Sequence, residues 1–148
     1  MTTTEIYGII SMTIKEKELL IMKVLVLTNG NFETKEITDE LEDLQKIVGG
    51  YIEIPFLTET FTKNGIDVII NEEGKFIEGL RPEIAVADKH TNQVFDVIMG
   101  NCIFASHDEE GETVALNKEQ YDIVMNELMT SALIGYNGKE YIVKVLFI

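Results

Sequence analysis

Apolar and polar positions change rhythm several times along this chain, and each change marks an element. Met22 opens "MKVLVL", an apolar and β-branched run to Thr28, and Phe32 to Ile37 alternates. Asn29-Gly30 between them has the composition of a two-residue hairpin turn. Leu41, Leu44, Ile47 and Val48 then recur at helical spacing. Thr38 offers an N-cap, and Asp39 and Glu40 fall where the helix dipole favours acids, which predicts a helix over 39–48. Gly49-Gly50 follows. Phosphate-cradling loops run strand, glycines, helix, so that the anion meets a helix N-terminus. Here the helix comes first, so the glycines read as its C-terminal stop.

Tyr51 to Phe56 is a predicted strand, and Pro55, which cannot donate to a ladder, puts it at an edge or ends it. Thr58 to Gly65 reads as a polar loop and Ile66 to Asn71 as a strand. "NEEG" reads as a turn with Gly74 at positive φ and "KFI" returning. The irregular stretch Glu78 to Gln93 holds a short strand, Ile84 to Val86. Val94 to Met99 and Cys102 to Ala105 are apolar strands, broken at Gly100-Asn101 by a bulge or tight turn. Asn117, with Gln120 as capping-box partner, starts a second helix over 118–131. Its apolar face is Tyr121, Val124, Met125, Leu128 and Met129. A C-terminal β-hairpin turns at Asn137-Gly138. The short connections predict an α+β fold, a mainly antiparallel sheet with two helices. The apolar last strand, "YIVKVLFI", is the expected pairing edge, and through it a homo-oligomer is expected.

The length, 148 residues, suits one domain spanning 1–148. Charge narrows the partners: 26 acids against 12 bases give a net −14, and Arg81 is the only arginine. A chain this acidic repels nucleic acid and anionic membrane surfaces. Its acidity serves either solubility or a basic partner. Cys102 is the single cysteine, so no internal disulfide forms, which fits a reducing compartment. No apolar run reaches the ~20 residues that span a bilayer, and the N-terminus lacks a signal-peptide shape. The expected location is the bacterial cytoplasm. Lys17-Glu18 can be encoded AAG GAG, which resembles a ribosome-binding site at ordinary spacing from Met22. Residues 1–21 are therefore read as an extension preceding a true start at Met22.

Reactive chemistry finds little support. His90 and His107 sit in polar loops without the close ligand pairing of a zinc site. Cys102, inside an apolar strand, reads as a core thiol, with His107 as its one local base. Asp108 to Glu119 has acids at loop positions 1, 3, 5 and 12, but its glycine is misplaced for a calcium loop. No G-x-S-x-G elbow or G-x-x-x-x-G-K-[ST] loop occurs. The reading is of no enzyme, no catalytic residue, no metal and no cofactor.

"LEDLQKIVGGYIEI", "VIINEEGKFIEGLRP", "FDVIMGNCIFAS" and "ETVALNKEQ", in that order, resemble a small domain family of phages, plasmids and Firmicute genomes, catalogued as a domain of unknown function. The resemblance covers about residues 23–121 and implies a mobile-element accessory protein. The chain departs from the family pattern at Arg81, where a proline is usual, and at Glu83 or Ile84, where an asparagine is usual.

The expected function is a non-enzymatic binding protein that antagonises a host defence system. One form sequesters a small nucleotide-like ligand, with Gly74, Lys75, Gly79, Arg81, Gly100 and Asn101 as its binding residues. The other masks a basic host protein with Glu40, Glu42, Asp43, Asp108, Glu109 and Glu110. The alternatives are a self-assembling structural module and a weak hydrolase built on loop carboxylates.

Overall fold

A computed structural model describes residues 21–38 and 40–148, with Glu40 as backbone only. The expectations for residues 1–20 and for Asp39 fall outside it. Strands β1 (Met22–Thr28), β2 (Asn31–Ile37), β3 (Ile52–Glu53), β4 (Asp67–Asn71), β7 (Cys102–His107) and β8 (Thr113–Val114) form one antiparallel sheet. Its order is β2-β1-β7-β4-β3, with β8 on β7. A second sheet takes β5 (Pro82–Ala87), β6 (Val94–Met99), β9 (Ser131–Tyr136) and β10 (Lys139–Phe147) in the order β6-β5-β10-β9. The helices are α1 (Glu40–Val48), α2 (Glu59–Lys63) and α3 (Lys118–Glu127). The fold is α+β and mainly antiparallel.

Alternation in the central strands builds two cores from one sheet. Val24, Val26, Ile69, Ile103 and Ala105 face α1, where they meet Leu44 and Val48. Leu25, Leu27, Val68, Cys102 and Phe104 point the other way, into a larger core with the second sheet and α3. The first sheet is thus the middle layer, and its β1, β4 and β7 must be apolar on both faces.

Local signals are obeyed at several ends. Gly49 enters the left-handed region at φ +82, and the N–H groups of Gly49 and Gly50 both donate to Gln45 O, at 2.8 and 3.0 Å. Both Asn-Gly pairs turn their hairpins. The Asn117–Gln120 capping box forms, and β3, just before Pro55, ends the described order of its sheet.

Five expectations need correction. Among the described residues there are three helices, where two were expected. α2 was hidden because only Phe61 anchors it, capped by Thr58 Oγ1 on the Phe61 N–H at 3.1 Å. The last helix stops at Glu127, short of 131, because Ser131 already pairs with Lys144 and Thr130 O accepts the Val145 N–H. "KFI" is no returning strand: Gly74–Phe76 is a 3-10 turn. Gly74 lacks positive φ, and glycine suits it because a Cβ would stand 2.9 Å from Met99 O. Of the two readings of Gly100-Asn101 the tight turn holds and the bulge does not: Gly100 stands at φ +84, and the chain crosses there from the second sheet to the first, so that β6 and β7 do not pair. Finally, β10 is not an edge. It lies between β9 and β5, parallel to β5, with Lys144 opposite Ile84.

Candidate functional site

The six residues expected to hold a small ligand fall into two groups. Gly79, Arg81, Gly100 and Asn101 line one cleft of about 280 Å³ with the C-terminal end of α1. Gly74 and Lys75 line another, of about 220 Å³, where β3 and β4 of the first sheet approach β6 of the second. The two cations expected to meet an anion are therefore in different clefts.

Each cation also has a carboxylate partner. Lys75 Nζ lies 2.5 Å from Asp96 Oδ1. Arg81 Nε lies 3.3 Å from Glu83 Oε2, and its Nη2 donates to Ile142 O. The guanidinium also stacks 5.4 Å from the Tyr141 ring centre. Glu83 is fully buried. Its carboxylate accepts the N–H groups of Asn29 and Gly30, each at 2.8 Å. Burial pushes its pKa above the ordinary glutamate value, against the opposing pull of Gly30, Arg81 and Asn29. This network ties the β1–β2 turn to the second sheet. Arg81, one departure from the resembled family's pattern, is thus the partner of Glu83, which with Ile84 is one of the two positions where the other departure falls. Sequence reasoning missed Glu83; the available signal was an acid at the mouth of an apolar strand.

Two asparagines, Asn101 from the larger cleft and Asn71 from the smaller, hold the C-terminal end of α1. Asn101 Nδ2 donates to Ile47 O at 2.9 Å, and Asn71 Nδ2 to Val48 O at 3.0 Å. These satisfy carbonyls that a helix end leaves orphaned.

The acidic residues expected to meet a partner gather differently. Met22 pairs with Ile37, and β1 runs antiparallel to β7 with Leu27 opposite Cys102. The end of β2, and hence the start of α1, therefore lies at the His107 end of β7. Glu40 opens α1, Glu42 is exposed and 3.6 Å from Lys46, and Asp43 Oδ2 accepts the Thr38 N–H at 2.7 Å. Asp108, Glu109 and Glu110 are exposed in the turn that leaves that same end of β7. Asp108 Oδ1 accepts the N–H groups of Glu110 and Glu112, both at 2.9 Å. One pole of the first sheet thus carries both acidic sets.

The same register separates groups that a hydrolase would need together. Glu72 and Glu73 follow β4 at the opposite end from Asp108, because β4 is antiparallel to β7. Cys102 and His107 bound β7 on opposite faces, about 16 Å apart at ~3.3 Å per residue. The Cys102 thiol is pushed far up by burial and by the charge of Glu83. His107 Nδ1 meets Asp67 Oδ2 at 2.8 Å. Among the described residues no three His, Cys, Asp or Glu side chains group as metal ligands, and no helix is long and apolar enough to cross a membrane.

No curated protein and no solved structure matches the chain at a significant level. A family model does match, over residues 22–130, which leaves the β9–β10 hairpin outside it. The chain belongs to the family described as a domain of unknown function, DUF3846.

Proposed function

We propose that this chain is a non-enzymatic binding protein of a mobile genetic element, which counters a host defence system by covering a basic host protein with its acidic pole. The observation that carries this reading is the convergence of Glu42, Asp43 and Asp108 to Glu110 at one end of the first sheet. Clustered charge of one sign speeds encounter with a complementary surface and rejects like-charged competitors. Exposed acids are best tested by neutralisation. The Glu42→Gln, Glu109→Gln, Glu110→Gln triple variant should fold normally. It should lose a host protein that the wild type retains near one to one at low salt and releases at high salt. Equal retention by the variant refutes the reading.

A second reading, sequestration of a small nucleotide-like ligand, is favoured by the meeting of Gly79, Arg81, Gly100 and Asn101 in one cleft. It ranks lower because an anion there must compete with Glu83 for Arg81 and faces a helix C-terminus. Native mass spectrometry of protein purified from its host separates the two readings, since only this one leaves a retained small molecule.

A further inference from the structure

The cleft beside Lys75 lies at the other end of the first sheet from the acidic pole, and its chemistry is different. Ile70, Val97, Ile98 and Met99 give it apolar walls, with Pro55 and Leu57 on the loop side. A second cleft, of about 330 Å³, adjoins it: Lys75, Asp96, Val97 and Met99 line both. The pair forms a groove crossed at its middle by the Lys75–Asp96 ion pair. Large side chains stand out around it. Phe76, in the wall of the first cleft, is 88% exposed, and Phe95, in the wall of the second, is 60% exposed. Phe56, between Pro55 and Leu57 in the chain, is 72% exposed. Aromatic surface left in water around a groove, with a polar rim, marks a protein-docking site.

Charge selects the occupant. Glu53, Glu72 and Asp96 line the first cleft against one cation, Lys75, which Asp96 already neutralises. Among the described residues the carboxylates of Glu53 and Glu72 have no hydrogen-bond or ion-pair partner. We propose that this groove seats an extended segment of a protein partner whose basic residues alternate with apolar ones. The apolar side chains pack on Val97 and Met99 between Phe76 and Phe95, and the cations meet Glu53 and Glu72. This site is independent of the acidic pole.

The test uses a labelled synthetic peptide of alternating lysine and valine, with a glutamate–valine peptide and polylysine as controls. Fluorescence anisotropy gives affinity, and amide shifts map the seat. The lysine–valine peptide is expected to bind and to shift residues 53–57, 72–76 and 94–97, while the glutamate–valine peptide does not bind. Both Phe76→Ser with Phe95→Ser and, separately, Glu53→Gln with Glu72→Gln should weaken it about tenfold or more. All four side chains can change without disturbing the core, and unfolding curves check this. The proposal is overturned by no binding, by shifts elsewhere, by affinity unchanged in the double-Phe variant, or by polylysine binding as tightly as the peptide. Self-association lost in the double-Phe variant also overturns it, because the occupant is then a second copy. Shifts confined to 40–43 and 108–110 refute the groove while leaving the acidic-pole reading standing.

Discussion

Arg81→Met should destabilise the protein in a pH-dependent way. The substitution keeps an apolar stem and removes the cation beside Glu83. Full charges at the observed 3.3 Å attract by about 5 kcal/mol at an effective dielectric of about 20. Arg81 is a quarter exposed, and hydration of the guanidinium offsets part of this, leaving about 2 kcal/mol. The lost Nη2 bond to Ile142 O adds about 1 kcal/mol. The neutral-pH deficit is therefore about 3 kcal/mol, or a urea midpoint about 1.5 M lower at a slope of about 2 kcal/mol/M. The sign with pH follows from Glu83. Its folded pKa is raised, and losing Arg81 raises it further. A group with a raised folded pKa contributes stability that is full below its unfolded value and lost as pH rises through the folded value. The variant loses more across that window than the wild type does. The deficit should thus open as pH rises from about 4 to 7.5, starting near 1 kcal/mol. Urea titrations of both proteins at the two pH values measure it. A deficit of equal size at both would show that Arg81 acts by packing and the hydrogen bond alone, and would refute the electrostatic argument.

Gly74→Ala should cost about 1–3 kcal/mol, since its Cβ would stand 2.9 Å from a backbone oxygen; calorimetric melting reads this, and an unchanged midpoint would mean the turn shifts freely. Asn71→Ala should cost about 2–3 kcal/mol, because Asn71 both caps Val48 O and accepts the Glu73 N–H at 2.8 Å; hydrogen exchange should quicken at Gly49, Gly50 and Glu73 first. At Asp96, burial pushes the pKa up, but the Lys75 hydrogen bond, the Val97 N–H and the Lys75 charge together hold it below the ordinary value. The Lys75–Asp96 contact should therefore persist above the ordinary aspartate range and open as pH falls through the lowered value. Carboxyl-carbon NMR should show that midpoint rising in Lys75→Met.

What the sequence determined by itself was local. Asn29-Gly30 and Asn137-Gly138 turn because short-range sterics favour positive φ there, Gly49 stops α1 for the same reason, and Asn117 with Gln120 closes a cap over three residues. Near-continuous apolar runs in β1, β4 and β7 marked buried strands without showing that their two faces serve different cores. The acids expected to meet a partner were legible as charge runs, but their meeting at one pole depends on strand register. Tertiary structure alone decided which strand lies beside which. β5 and β10, more than 50 residues apart, pair in parallel, and β6 and β7, two residues apart, do not pair at all. It also put Arg81 in the service of Glu83 and opened the aromatic groove between two sheets. The physical reason is that turns and caps are settled by neighbours along the chain. Strand partners are settled by which apolar faces can be buried together, a property of the whole packed set that no short stretch encodes.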